Sequence, residues 1–98
     1  MYIIRDIFYL HYGSFKDARD LILDAKNQGL IPGGDSARFL SDFTGDAYRI
    51  ILEFSVSSLG KYETELQDSM KRPEWQAWYA KFKVFVRAGN REILKVIV

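Results

Sequence analysis

The chain opens on a run of β-branched and aromatic residues and then changes to a helical hydrophobic period. Residues 3–12 (IIRDIFYLHY) predict a strand. Ser14 and Asp17 follow at the spacing of a capping box, and behind them apolar residues recur at helical spacing until Gly29. The pattern therefore predicts a first strand at residues 3–12 and an amphipathic helix at residues 15–28.

Two further strands are predicted after a loop rich in glycine and proline. The loop at residues 30–34 (LIPGG) lacks the lysine and the spacing of a phosphate-binding P-loop, so we interpret it as a plain connector. Residues 36–43 and 47–56 follow as two strands, and residues 44–46 (TGD) form the short turn between them. The middle of the chain is therefore predicted to be a β-hairpin.

The last third of the chain predicts a long, interrupted helix and a final strand. A serine at position 57 or 58 can cap a helix at residues 59–88, and Pro73 begins a new helical segment within it. The dipeptide Gly89-Asn90 predicts the end of this helix, and residues 91–98 alternate as a strand. The order β-α-β-β-α-β predicts one α+β domain spanning residues 1–98, a ferredoxin-like fold with a four-stranded antiparallel sheet and both helices on one face.

Strand side chains alternate between the two faces of a sheet, so the third strand shows which face the helices cover. Its apolar face consists of alternate residues: Tyr48, Ile50, Leu52, Phe54 and Val56. In the first strand, Asp6 interrupts the corresponding face. The opposite face still carries large apolar residues, namely Ile3, Ile7, Tyr9 and Ile51. We expect a second copy of the chain to cover it in a homodimer, with Arg49 and Glu53 paired in that interface or at its rim.

Composition excludes several kinds of chemistry. The chain has no cysteine and only one histidine, which excludes disulfides, thiolate chemistry and a multi-histidine metal site within one chain. No apolar run approaches the length of a membrane span, and the N-terminal residues lack a signal-peptide pattern, so a cytoplasmic protein is expected. The net charge is only +1, but the chain from Lys71 onward contains seven basic and two acidic residues. We interpret this bias as exposed basic side chains, with an anion-binding face as the alternative.

Several short features are spread along the chain: Arg5 in the first strand, Gly13 before the first helix, DFTG at residues 42–45, PEW at residues 73–75 followed by Trp78, and REI at residues 91–93. With this layout the chain resembles the dimeric α/β-barrel superfamily and, within it, NIPSNAP-like small proteins. The resemblance implies a homodimer whose two sheets form a barrel, with a pocket between sheet and helices in each subunit. Members include cofactor-independent monooxygenases, isomerases, haem-degrading enzymes and proteins without known activity. Haem-degrading members bind iron through a histidine on the second helix, and this chain has no histidine after His11, so no cofactor is predicted.

Two sets of residues are candidates for a site, on opposite faces of the sheet. His11 and Tyr9, oriented by Arg49, could carry polar chemistry on the uncovered face, although a lone histidine is more often an ordinary strand-end residue. Aromatic residues could line a ligand pocket on the helical side, although such a stripe is more often core: Phe8, Phe54, Trp78 and Tyr79. We favour the helical side, because concave apolar surfaces are the general mark of small-ligand sites.

These residues leave two functions open. The favoured one is an uncharacterised NIPSNAP-like dimer that binds a small apolar or aromatic molecule, and the alternative is a monooxygenase- or isomerase-type enzyme without a cofactor. A nucleic-acid binder of the same strand order would need the glycine–aromatic pattern of RNA-recognition motifs on the third strand. Residues 47–54 (AYRIILEF) lack those glycines, so no nucleic-acid partner is predicted.

Overall fold

The computed structural model describes residues 1–45 and 48–98. It contains four strands and three α-helices in the following order: β1 (Tyr2–Leu10), α1 (Phe15–Asn27), β2 (Arg38–Ser41), β3 (Arg49–Val56), α2 (Leu59–Met70), α3 (Pro73–Phe82) and β4 (Val86–Lys95). Short 3-10 turns at Gly34–Ser36 and Lys83–Phe85 precede β2 and β4. None of the described helices is long and apolar enough to cross a membrane.

The four strands form one sheet in the order β2-β3-β1-β4, and every neighbouring pair is antiparallel. The helices pack on one face of this sheet, which confirms the predicted ferredoxin-like βαββαβ architecture. The central pair is in continuous register from Tyr2 opposite Val56 to Tyr9 opposite Arg49. Residues directly opposite each other share a face, so the register decides which side chains meet.

The helical face carries the core in two clusters. One surrounds Leu10, Ile50 and Phe82, and α1 contributes Ala18 and Ile22 to it. The other consists of Ile4, Leu52, Phe54 and Tyr62. The predicted apolar face of the third strand is therefore the buried face, because its alternate residues supply the floor of both clusters.

The boundary between the last helix and the last strand differs most from the prediction. The helix ends at Phe82, and Val86 already belongs to β4. Gly89 and Asn90 lie within this strand, opposite Phe8 and Ile7, so the prediction that they end a helix is wrong. The helical period of the preceding aromatic residues continues through Val86, whereas nine of the ten residues of β4 pair with β1, which satisfies the backbone of this strand.

Helix starts and the hairpin show smaller differences. Ser58 caps α2 as predicted, because its side chain accepts a hydrogen bond from the Lys61 amide at 3.2 Å. Ser14 precedes α1 but makes no capping hydrogen bond through its side chain, so the predicted capping box does not form. Of the predicted turn and third strand, Asp46 and Ala47 lie outside the described residues.

Candidate functional site

A cavity lies between α2, the end of β3 and the loop that follows α1, and we call it the α2 pocket. Its volume is about 560 Å³, within the usual range of small-molecule sites. Apolar and aromatic residues form one wall: Leu30, Pro32, Phe54, Val56, Tyr62, Leu66 and Trp75. Polar residues of α2 and the preceding turn form the other: Ser57, Ser58, Lys61, Glu65, Asp68 and Ser69. The cavity can thus accept a molecule with an apolar body and a polar edge.

Gly33 holds the floor of the α2 pocket in place. Its φ angle is +91°, and a Cβ atom built there would lie 2.3 Å from the Cβ of Phe54. Only glycine fits both the left-handed backbone and this close approach. The loop therefore rests directly on Phe54, which is almost completely buried and has its ring centroid 5.7 Å from that of Tyr62.

The four aromatic residues predicted to bind a ligand do not share one cavity. Phe54 lines the α2 pocket. Phe8 and Tyr79 line a separate depression of about 220 Å³ between α3 and β4. Trp78 lies in the core contact between α1 and α3, where its ring stacks on Phe82 and its Nε1 donates to the Leu21 carbonyl at 2.6 Å.

The candidates for polar chemistry lie on or beside the uncovered face. Tyr9 and Arg49 are directly opposite each other on β1 and β3. The guanidinium of Arg87 lies 5.3 Å from the centroid of the Tyr9 ring. His11 is exposed just beyond the end of β1, and its amide donates to the Phe85 carbonyl at 2.9 Å. The register brings Tyr9 and Arg49 together, whereas His11 lies past the last strand pair.

Within the chain, Arg49 and Glu53 pair with other residues, and their pairing across a dimer interface stays a prediction. Arg49 donates to Asp42, with 2.8 Å between Nη2 and Oδ1. The hydrogen bond from Arg49 lowers the pKa of Asp42, and the same bond raises the pKa of Arg49. Arg49 and Glu53 lie four residues apart on one extended strand, so both reach partners on neighbouring strands more easily than each other.

Glu53 is a buried carboxylate held between two arginines. It is 6% exposed and accepts from Arg38 on β2 at 2.5 Å and from Arg5 on β1 at 2.8 Å. Hydrogen bonds from Arg38 and then Arg5 lower the pKa of Glu53 despite its burial. Both arginines lie opposite Glu53 in the register. This cluster crosses three strands of the uncovered face.

A second ion pair lies on the helical side of the sheet, between the two core clusters. Arg91 on β4 is opposite Asp6 on β1, and its Nε donates to the Asp6 carboxylate. The Arg91 guanidinium lies 5.9 Å from the centroid of the Tyr62 ring. The Tyr62 hydroxyl is buried and has no hydrogen-bond partner among the described residues. Burial raises the pKa of this phenol, against a smaller opposing effect of Arg91.

Sequence analysis noted Asp6 only as an interruption of an apolar face and did not connect it to Arg91 or Tyr62. A lone acidic residue among core positions of a strand was the available signal, because a buried charge requires a partner. The partner is 85 residues away in the chain and depends on the register of β4. In the described ranges 1–45 and 48–98, no three histidine or carboxylate side chains are grouped to hold a metal ion.

Comparison with known proteins identifies the fold through structures and not through sequence. No protein-family model matches the chain, and no curated protein matches it. A NIPSNAP family protein of unknown function from Agrobacterium tumefaciens superposes with a TM-score of 0.88 at 15% identity, covering 98% of this chain and 87% of that one. An uncharacterised NIPSNAP domain protein from Burkholderia xenovorans gives 0.85 at 13% identity, with 100% and 96% covered.

A putative antibiotic biosynthesis monooxygenase from Nitrosomonas europaea is also similar, with a TM-score of 0.73, 11% identity and complete coverage of both chains. At these identities the likeness shows the fold alone. The fold is thus the one seen in NIPSNAP proteins and in monooxygenase-like dimeric α/β barrels, as the resemblance in sequence predicted.

Proposed function

We propose that this protein binds a small apolar or aromatic molecule in the α2 pocket. The observation that carries the proposal is a cavity of about 560 Å³ with an aromatic wall on one side and polar side chains on the other. Burying a flat apolar ligand against Leu66 and Trp75 supplies the free energy of binding, and the polar wall orients it. Phe54 is 1% exposed and adds little contact area. The ligand class is therefore a flat apolar molecule with one polar edge.

The polar wall favours a hydroxyl or carbonyl group on that ligand. Lys61, Glu65 and Asp68 offer a cation and two carboxylates along α2, and the Lys61 ammonium lies 3.9 Å from the Glu65 carboxylate. Lys61 and Glu65 compensate each other, and Asp68 leaves one net negative charge, so the wall does not favour an anionic ligand. A neutral ligand with a single hydrogen-bonding group fits this arrangement best.

Turnover of such a ligand is the second candidate function. The observation that favours it is the structural likeness to a putative antibiotic biosynthesis monooxygenase. An enzyme of this kind needs a group that can move a proton next to the bound ligand. Lys61, Glu65 and Asp68 are exposed titratable residues that line the α2 pocket, and they are the candidates for that role. Incubating a 2-naphthol complex in air and analysing it by mass spectrometry would reveal an oxygenated product.

Assembly as a homodimer through the uncovered sheet face completes the proposal. Ile3, Ile7, Leu40, Ile51 and Leu94 lie on this face by strand register. Ile7 is 6% exposed, so the uncovered apolar surface comes from the other four, and a second copy of the same sheet would cover it. Among the charged residues of this face, Arg38 is paired with Glu53 and Glu92 stays half exposed.

A pocket-filling variant tests the proposal. Ser69 lines the α2 pocket, so Ser69→Phe should occlude it, whereas Gln67→Phe places the same ring on the exposed side of α2. We expect 2-naphthol to bind the wild type and Gln67→Phe with equal affinity in calorimetry and to lose about tenfold or more with Ser69→Phe. Equal binding to all three proteins, or binding to none, would refute the proposal.

A further inference from the structure

A second depression lies on the helical side of the sheet, above Gly89 of β4, and we call it the Gly89 notch. Its walls are Phe8, Tyr79 and Phe82, and Lys83 and Arg87 lie at its rim. It measures about 220 Å³ and is separate from the α2 pocket. Tyr79 and Phe82 belong to α3, so the notch lies between the C-terminal part of this helix and β4.

The backbone does not require a glycine at position 89. Gly89 lies in the middle of β4, and a Cβ atom there would meet only the Ile7 carbonyl oxygen, at 3.8 Å. This is an ordinary contact distance, in contrast to the 2.3 Å at Gly33. A glycine within a strand weakens it and often marks the close approach of another group. What the glycine provides here is open space above Phe8, its partner in the register.

The floor of this space is aromatic and firmly held. The rings of Phe8 and Phe82 meet edge to face with their centroids 5.1 Å apart. Phe82 is 1% exposed and is fixed from behind by stacking on Trp78. A flat ring placed above Gly89 would contact Phe8 below and Tyr79 at the side, so the notch suits a single six-membered ring better than a long chain.

Two cations lie close to the notch. Arg91 lies two residues after Gly89 on the same face of β4 and donates to Asp6 through Nε, and its two terminal nitrogens make no hydrogen bond to the described residues. With Lys83 at the rim, this places two cations beside the notch against the single carboxylate of Asp6. The Arg87 guanidinium lies over Tyr9 on the other face of the sheet and does not contribute.

The Asp6–Arg91 pair leaves the guanidinium available to a ligand. The Asp6 side chain is 13% exposed, whereas the Arg91 side chain is 43% exposed. Asp6 fixes Arg91 through Nε, and the two terminal nitrogens can donate to a planar anion through charge-assisted hydrogen bonds.

We infer that the Gly89 notch binds a small ring-bearing carboxylate. The ring occupies the space above Gly89 between Phe8 and Tyr79, and the carboxylate is held by Arg91 with Lys83 at the rim. This inference is independent of the α2 pocket, since the two cavities share no lining residue. Charge distinguishes the two ligands: a neutral molecule is expected in the α2 pocket and an anion in the notch.

Benzoate and benzamide, which share a ring and differ in charge, test the inference. In ¹H–¹⁵N spectra of the wild type we expect benzoate to cause saturable shifts centred on Gly89 and Arg91, with about tenfold weaker binding of benzamide. Gly89→Val should fill the notch and remove the benzoate response. Asn90→Val introduces the same side chain on the opposite face of β4 and should leave that response unchanged. Arg91→Gln should lower benzoate affinity about tenfold while leaving 2-naphthol binding intact.

Three results would overturn the inference. One is a wild-type benzoate dissociation constant weaker than about 10 mM. Another is benzamide binding as tightly as benzoate, which would show that charge is not recognised. The third is retention of benzoate binding by a folded Gly89→Val variant. Failure of 2-naphthol to bind the α2 pocket affects none of these readouts, so each proposal can be refuted without refuting the other.

Discussion

The rings of Trp75 and Tyr79 stack on one another, with centroids 4.9 Å apart and planes 10° from parallel. Trp75 lines the α2 pocket and Tyr79 lines the Gly89 notch, so one aromatic pair on α3 borders both cavities. One turn of helix separates them, which is the spacing that brings side chains together on a helix surface. A ligand that moves one of these rings therefore shifts the lining of the other cavity. The two sites can influence each other through α3.

The close contact between Gly33 and Phe54 should make this glycine irreplaceable. Gly33→Ala would force a Cβ to within 2.3 Å of Phe54 at a φ of +91°, and we expect a loss of about 2–4 kcal/mol in the free energy of unfolding. Gly29→Ala is the matched control, because φ is +70° there but nothing lies within 4 Å. Gly29→Ala should lower the free energy of unfolding by only about 1 kcal/mol. Urea denaturation measures both, and equal losses would contradict the contact.

The buried carboxylate of Glu53 should make stability depend on pH in a defined direction. Its pKa in the folded protein lies below the ordinary 4.5, so its contribution is complete above about pH 4.5 and is lost as the pH falls through the lowered value. Glu53→Gln should cost about 1–3 kcal/mol at pH 7 and flatten this acid dependence. Glu92→Gln, where the carboxylate is 4.0 Å from Arg5 and half exposed, should cost less than about 0.5 kcal/mol. Urea unfolding at a series of pH values measures the stability of both variants. The same pH dependence in Glu53→Gln and Glu92→Gln would contradict the role of Glu53.

Two serines at helix starts should differ in their effect on stability. Ser58 accepts from the Lys61 amide, whereas the side chain of Ser14 makes no capping hydrogen bond. Ser58→Ala should therefore destabilise the protein by about 1 kcal/mol, and Ser14→Ala by clearly less. Thermal unfolding followed by circular dichroism compares them. A larger loss at Ser14 would mean that α1 is capped in solution in a way the structure does not show.

The uncovered sheet face should carry a dimer interface. Ile51→Lys would place an unpaired charge at its centre, and we expect dimer affinity to fall by about 3–5 kcal/mol. Ile93→Lys serves as the control, because Ile93 lies opposite Ile4 on the helical face. Sedimentation measurements at micromolar concentration provide the test. A monomeric wild type would eliminate the dimer, and dissociation by both variants would place the interface elsewhere.

Local patterns along the chain were sufficient to predict most of the architecture. The alternation in β3 and the helical period after Phe15 depend only on neighbouring residues, and both elements form as predicted, with α1 at Phe15–Asn27 and β3 at Arg49–Val56. The end of α3 could not be predicted in this way. Val86 continues the helical period and Gly89 is a common helix stop, but pairing with β1 turns both into strand residues. Tertiary hydrogen bonding outweighed local preference there.

By itself the sequence determined the order of the elements, the face of the sheet that the helices cover, and the excess of basic residues after Lys71. These properties follow from side-chain periodicity and composition. Only the tertiary structure decided that Asp6 meets Arg91, that Glu53 joins Arg5 and Arg38 within the chain, and that Lys83 and Arg91 lie beside the space above Gly89. The reason is register: a shift of a single residue between two strands moves every side chain to the other face, and no local pattern carries that information.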